Sequence, residues 1–196
     1  ISVEEALGIV LRETSVLPAE CIGLQDAAGR VLAEEVLADE DQPPFAKAMM
    51  DGLALRSQDV RVAPAELEVI EEIPAGAMPT RSLAAGQAAR IMTGAPLPQG
   101  ADCVQMVERT EPARGGGWVR ILEAVEAGTH VAPRGRELKA GQRVLSPGDG
   151  LTPSRIGLLS GVGKGTVLAH RRPRVAVAPT GDELVPWDVT PKPGQI

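Results

Sequence analysis

The residues from Gly52 to Val119 constrain the fold most, because they form short β-like segments separated by turn clusters. The segments are Leu53–Arg56, Leu67–Ile73, Ala88–Met92 and Cys103–Glu108. Glycine and proline, which end strands and begin turns, are concentrated between them. The whole chain has 22 glycines and 17 prolines, which is high for a helical bundle, and they follow no fixed period. The pattern therefore predicts a small β-barrel or sandwich.

The flanking sequence combines helices with short strands. Ser2 and Glu5 match a capping box, in which both side chains satisfy free backbone donors of a first helical turn. Apolar residues then recur at helical spacing up to about Glu13. The further predicted elements are a strand at Cys21–Leu24, a small helix from Asp26 through Leu32, a strand at Glu35–Ala38, a helix from Thr152-Pro153 to Gly161, and strands at Val167–Ala169 and Arg174–Ala178. Together they predict a mixed α/β class.

An acidic, proline-bearing stretch at Asp39–Pro44 predicts a domain boundary, because residues that precede proline avoid helical geometry. We expect residues 44–130 to form a β-rich, barrel-like domain inserted into a unit made of residues 1–43 and 131–169. Residues 170–196 should begin a further α/β domain. Its first strand would be the apolar run Val175–Ala178, which is typical of a strand buried on both faces of a parallel sheet.

Three polar, glycine-containing turns are candidate site segments: Met50–Gly52, Met92–Pro96 and Thr180–Glu183. On the residues alone, Asp51 and Thr93 are more often ordinary turn formers, whose side chains bond their own backbone. For Glu183, which follows a predicted buried strand, an ordinary turn residue and a functional residue are about equally favoured. Ligands of open α/β sheets lie at the carboxyl ends of strands, where Asp182 and Glu183 are predicted. Such carboxylates could hold Mg²⁺ together with several waters.

Charge and composition argue against several function classes. The formal net charge is −6, whereas binding to nucleic-acid phosphates requires clustered Lys and Arg. No run of about 18 apolar residues predicts a membrane span. Cys21 and Cys103 fit no metal-binding spacing, and two thiols in a chain of this size suit a reducing compartment. We therefore expect a soluble, cytoplasmic protein without a nucleic-acid or membrane partner.

A series of further stretches is informative through its order and spacing. These stretches are Ser2–Leu7, Ala28–Glu34, Pro43–Phe45, Met50–Gly52, Arg90–Pro98, Gly100–Asp102, Arg134-Gly135, Arg172–Val177 and Thr180–Leu184. Together they resemble the molybdopterin molybdenumtransferase family, whose eukaryotic relatives include the C-terminal part of gephyrin. The resemblance covers nearly the whole chain, and collinear matches of this length are specific.

The resemblance implies an elongated N-terminal α/β unit with an inserted β-rich domain, in a homodimer. It implies insertion of molybdenum from molybdate into adenylylated molybdopterin, with Mg²⁺-assisted release of AMP. Asp51, Thr93 and Glu183 match functional positions of the family and are its implied catalytic residues, with Asp51 and Glu183 as Mg²⁺ ligands. The implied cofactor-binding residues are Gly94, Thr180, Gly181, Asp182 and Glu137.

The chain also departs from the family's pattern. Where the family usually carries Asp, Ser and Tyr, this sequence has Ala46, Ala48 and Leu53. The family's Arg-Gly-Glu-Asp turn here ends in Arg136-Glu137. These departures leave open a non-catalytic member that binds cofactor or serves as a dimeric scaffold.

The chain is further expected to be the N-terminal part of a longer protein. It begins with Ile1 rather than methionine and stops shortly after the polar turn at Thr180–Glu183. Because the pterin-binding domain only begins here, we expect the chain alone to be inactive.

Overall fold

The computed structural model describes residues 1–196, which separate into two compact units. The sheet unit consists of Glu35–Ser146 and Gly161–Gly163. The terminal unit consists of Ile1–Glu34, Pro147–Ser160 and Lys164–Ile196. The domain boundaries inferred from the sequence stay a prediction.

The sheet unit is built around a six-stranded sheet. Its strands are β4 (Gly52–Leu55), β5 (Ala65–Ile73), β6 (Gln87–Ile91), β7 (Cys103–Met106), β8 (Thr110–Ala113) and β9 (Trp118–Ile121). The spatial order is β7-β4-β6-β5-β9-β8, and every pairing is antiparallel except that of β5 with β6. The sheet curls into a half-barrel, which confirms the predicted barrel-like, mixed α/β architecture.

Both faces of this sheet carry an apolar core, because successive side chains of a strand point to opposite faces. Along β4, for example, Leu53 and Leu55 belong to one core and Ala54 to the other. The first core comprises Leu53, Leu55, Val60, Leu67, Ala88, Cys103, Val119, Ile121 and Val125. The second comprises Ala48, Ala54, Ile73, Leu83, Ala89, Ile91, Ala95 and Val104. Leu53, where the resembling family usually has Tyr, is fully buried.

Two short antiparallel pairs complete the sheet unit. β3 (Lys47–Ala48) pairs with β10 (Val131–Ala132), and β2 (Val36–Leu37) pairs with β11 (Arg143–Leu145). Each pair joins residues more than 80 positions apart in sequence, so both close the unit through non-local hydrogen bonds.

The remaining elements are α1 (Val3–Glu13), β1 (Ala19–Gly23), α2 (Pro153–Gly161) and β12 (Thr166–His170), with β1 antiparallel to β12. The predicted capping box is confirmed: Glu5 N donates to Ser2 Oγ at 3.2 Å and Ser2 N donates to Glu5 Oε2 at 2.8 Å. No residue of α1 is buried, so its apolar side chains remain exposed. Neither helix is long and apolar enough to span a bilayer.

The small helix predicted from Asp26 through Leu32 is wrong. A single 3-10 turn covers Leu24–Asp26, and Val31 and Leu32 instead form β-bridges. Gly29 has a φ of +73°, a conformation that ends a right-handed helix. The amide of Leu32 donates to Asp149 O at 2.8 Å rather than to the preceding turn.

The strand predicted at Arg174–Ala178 is also absent from the structure. Val175 and Val177 are 77% and 85% exposed, instead of buried between two layers. A strand requires a neighbour that accepts and donates its backbone hydrogen bonds. No segment of residues 1–196 pairs with this run, so its apolar pattern has no sheet to join.

Candidate functional site

Asp51 and Thr93 lie together at one end of the central sheet. Asp51 immediately precedes β4, and Thr93 follows β6 by two residues. Since β4 and β6 are antiparallel with Gly52 opposite Ile91, the start of one strand adjoins the end of the other. The sequence predicted both residues in turns, and the fold brings those turns side by side.

Two hydrogen bonds join these residues. Thr93 N donates to Asp51 Oδ1 at 2.7 Å, and Thr93 Oγ1 donates to the same oxygen at 2.8 Å. The bond from the Thr93 backbone, reinforced by the one from its hydroxyl, holds the pKa of the Asp51 carboxyl below its usual range. Asp51 is exposed, and its second carboxylate oxygen accepts no hydrogen bond from the protein. The site therefore presents a fixed, ionised carboxylate with one oxygen free for a ligand.

Gly52 is required for this arrangement. A Cβ added at Gly52 would overlap the carbonyl oxygen of Gln105 in the adjacent β7. The close approach of the two backbones leaves room for glycine alone. It also fixes the backbone of Asp51, whose carbonyl accepts a hydrogen bond from Val107 N at 3.2 Å.

The turn after β6 is tied to β3. Ala48 N donates to Ala95 O at 2.9 Å, and Gly94 N donates to Ala48 O at 2.9 Å. Ala48 itself is 1% exposed in the second apolar core. The family usually has Ser at position 48. In this chain the side chain at that position packs in the core, so alanine in place of serine does not remove a hydroxyl from the surface.

Glu137 lies in a separate loop that Asp41 holds in place. Arg134 Nε donates to Asp41 Oδ2 at 2.6 Å, and Ala140 N donates to Asp41 Oδ1 at 2.9 Å. The amide of Glu137 donates to Gln42 O at 2.8 Å. The Glu137 side chain is exposed, so the loop presents it at the surface on a fixed backbone.

Replacement of Asp41 by asparagine should lower the melting temperature near neutral pH, and this effect should diminish as the pH falls below 3.8. The Ala140 amide, followed by Arg134, holds the pKa of Asp41 below its usual value of 3.8. A lowered pKa contributes stability that is present above 3.8 and is lost as the pH falls through the folded-state value. Thermal melts of both proteins across this range measure the effect. Asp39→Asn is the control, because that carboxylate accepts no hydrogen bond; an equal loss in both variants would contradict the role of Asp41.

A cavity of about 360 Å³ in the sheet unit brings further predicted residues together. Gly94 and Glu137 both line it, with Glu40, Gln42, Phe45 and Lys47. The sequence pattern singled out neither Asp41 nor Lys47. Asp41 lies in the extended linker predicted at 39–44, and Lys47 follows it. Their positions depend on β3 and on the 134–140 loop, and no local pattern signals such pairing.

The remaining predicted residues, Thr180, Gly181, Asp182 and Glu183, belong to the terminal unit. They form an exposed turn in which Leu184 N donates to Gly181 O at 3.2 Å. Ile196 N donates to Glu183 O at 2.8 Å. The sheet unit thus groups Asp51, Thr93, Gly94 and Glu137, while the roles predicted for the Thr180–Glu183 turn stay predictions.

No group of three or more His, Cys, Asp or Glu side chains in residues 1–196 is arranged to hold a metal ion. Mg²⁺, however, usually binds through one or two carboxylates, several waters and the phosphates of a substrate. The free oxygen of Asp51 fits one position of such a site.

Comparison with known proteins agrees with this fold. Residues 1–163 match the family model described as the MoeA N-terminal region, domains I and II. The chain is 41% identical over 181 residues to a molybdopterin molybdenumtransferase of Nostoc sp., covering 90% of this chain and 41% of that protein. It is 34% identical over 202 residues to the molybdopterin molybdenumtransferase of Bacillus subtilis, covering 100% of this chain and 47% of that protein.

Solved structures show the same similarity. A crystal structure of the molybdopterin biosynthesis protein MoeA from Pyrococcus horikoshii matches with a TM-score of 0.85 and 36% identity. That match covers 93% of this chain and 49% of the other. The chain spans less than half the length of the two curated relatives above. The match over residues 1–163 shows that the chain belongs to the MoeA family, as its N-terminal region.

Proposed function

We propose that the complete protein inserts molybdenum from molybdate into adenylylated molybdopterin and releases AMP. The observation that carries this proposal is the match of the chain to molybdopterin molybdenumtransferases over 90–100% of its length. The fixed, exposed carboxylate of Asp51 beside Thr93 supports it, because a reaction that expels a phosphate ester requires groups that position charge at the phosphate.

In this proposal each residue has one task. Asp51, held by Thr93, orients the leaving phosphate or a cation bound to it, and Thr93 fixes the carboxylate and the Gly94 turn. Glu137 contacts the cofactor from the 134–140 loop. Glu183 serves as a second carboxylate, with Thr180, Gly181 and Asp182 contacting the pterin substrate.

Asp51 and Glu183 are the residues that would hold Mg²⁺. When bound there, the ion would neutralise charge on the phosphate as AMP departs. The hydrogen bonds of Thr93 lower the pKa of Asp51 and so favour its ionised form, which is the form that binds a cation.

A non-catalytic family member is the second candidate, and the alanines at 46 and 48 favour it. The burial of Ala48 weakens that argument, since this position packs in the core. A homodimer in the cytoplasm is part of the main proposal. The exposed apolar side chains of α1 offer contact area to a second protomer, and two free cysteines suit a reducing compartment.

The chain of 196 residues alone should show no molybdenum insertion, whereas the complete protein should form cofactor from molybdate and adenylylated molybdopterin. The physical reason is that the Thr180–Glu183 turn stands outside any paired strand, so the predicted pterin-binding domain is not assembled. Release of AMP and formation of active cofactor are the two measurements. Circular dichroism of the isolated chain controls for folding. Turnover by the isolated chain would refute the prediction, and no turnover by the complete protein would favour the non-catalytic candidate.

A further inference from the structure

The direction of Lys47 follows from the two-residue strand β3. Ala48 points into the second apolar core, and adjacent residues of a strand point to opposite sides. The Lys47 side chain is accordingly turned away from that core and lines the 360 Å³ cavity that also contains Gly94 and Glu137. It is half-buried there, although no protein group pairs with its ammonium.

Lys47 is the only cationic side chain that lines this cavity. Two arginines of the adjacent loop are engaged elsewhere. Arg134 is paired with Asp41 at 2.6 Å, and Arg136 Nη1 lies 3.1 Å from Met49 Sδ. The cavity therefore has one cation available for a ligand, on a backbone that β10 and the Gly94 turn hold in place.

The other lining groups indicate what kind of anion fits. Phe45, the only phenylalanine of the chain, lines the cavity and is 37% exposed. An aromatic face offers a stacking surface to a planar heterocycle, and a lysine ammonium is a compact charge suited to phosphate. The carboxylates of Glu40 and Glu137 also line the cavity, but neither lies within 4.0 Å of the ammonium. An unpaired ammonium and an aromatic side chain that line the same cavity suit a ligand that carries a phosphate on a planar ring system.

We propose that Lys47 binds the phosphate of the nucleotide-bearing substrate in the cavity formed by Phe45, Lys47, Gly94 and Glu137. This inference rests on the proposed function, in which that substrate is adenylylated molybdopterin. It assigns to Lys47 a substrate-positioning role that is separate from the Asp51 carboxylate. In this proposal the contact would be made in the bound substrate as well as in the transition state, so it would contribute to binding more than to the chemical step.

The test replaces Lys47 in the complete protein by methionine, which keeps the aliphatic stem, and by arginine, which keeps the charge. Lys47→Met should raise the KM for adenylylated molybdopterin and the Kd for AMP at least about tenfold, equivalent to about 1.4 kcal/mol. Its kcat should change by less than about threefold, because loss of uniform binding raises KM alone. Lys47→Arg should retain most of the affinity. Steady-state kinetics and calorimetric titration with AMP measure these effects.

Lys139→Met is the matched control, since Lys139 is exposed in the same unit and does not line the cavity. It should leave KM and Kd unchanged. Wild-type KM and Kd in Lys47→Met would overturn the inference. Equal losses in the methionine and arginine variants, with lowered melting temperatures, would also overturn it, because they would mark Lys47 as structural.

The AMP titration separates this inference from the proposed function. If the wild-type protein inserts no molybdenum but binds AMP, and Lys47→Met weakens that binding, the proposed function fails and the phosphate site stands. If the wild-type protein binds no AMP, the inference is overturned whatever the turnover.

Discussion

Replacement of Asp51 by alanine in the complete protein should lower the rate of molybdenum insertion about a hundredfold or more, while the protein stays folded. A hundredfold corresponds to about 2.7 kcal/mol, within the several kcal/mol that charge stabilisation at a transferring phosphate provides. Asp51 is exposed in a turn, so truncation removes little apolar burial and costs far less than the 2–5 kcal/mol typical of core truncations. Glu183→Ala should act in the same direction. Rates measured across Mg²⁺ concentrations, beside thermal melts, test both variants.

Asp102 provides a close control for this experiment. Its carboxylate accepts hydrogen bonds from Ser57 N at 2.7 Å and from Ser57 Oγ at 2.8 Å, the same pair of donors that Thr93 offers to Asp51. Asp102→Ala should lower the melting temperature and leave the rate unchanged. Asp51→Asn adds a second comparison, since the amide oxygen can still accept from Thr93 but the charge is lost. Normal rates in Asp51→Ala with a lowered melting temperature would show that Asp51 is only a turn former.

Replacement of Gly52 by alanine should lower the free energy of unfolding by at least about 3 kcal/mol, the upper end of what overpacking costs. The added methyl group would overlap the Gln105 carbonyl, a backbone atom that cannot rotate away as a side chain can. Relief requires β4 and β7 to separate, which breaks the register of Gly52 opposite Met106 and Leu53 opposite Gln105. Urea unfolding followed by circular dichroism measures the loss.

Gly157→Ala is the control for the effect of glycine replacement itself. A Cβ at Gly157, within α2, meets no atom within 4 Å. Alanine is favoured over glycine in a helix by about 0.5–1 kcal/mol, so this variant should be as stable as the wild type or more so. A Gly52→Ala protein with wild-type stability would mean that the backbones of β4 and β7 can accommodate the added methyl group, which would contradict the prediction.

The elements that the sequence predicts well are those with local signals. α1 has a capping box and helical spacing within thirteen residues, and both are present in the structure. The strands of the half-barrel are short apolar runs bounded by glycine and proline, and β4 to β7 lie close to where the pattern predicts them. These signals are formed by residues close together in the sequence, so they can be recognised without knowledge of the tertiary structure.

The features that the sequence does not reveal depend on distant partners. Asp26–Leu32 has the composition of a short helix, but Val31 and Leu32 bridge to Gly150 and Ala169. The apolar run at Arg174–Ala178 predicts burial, but burial requires strands that residues 1–196 do not provide. The cavity that contains Lys47 and Glu137 joins positions ninety residues apart, and neither residue shows this in its own neighbourhood.

The strand order of the half-barrel has a consequence for how the chain is made. β4, synthesised first among the six strands, pairs only with β6 and β7, while β8 and β9 form a local hairpin. As the polypeptide leaves the ribosome, β4 has no neighbouring strand until β6 has emerged at residue 91. Its second neighbour, β7, is complete only when residue 106 has emerged. Non-local pairing of this kind slows folding and exposes apolar strand edges in the meantime. The apolar residues Leu53, Ala54 and Leu55 are thus the segment of the nascent sheet that a chaperone would encounter longest.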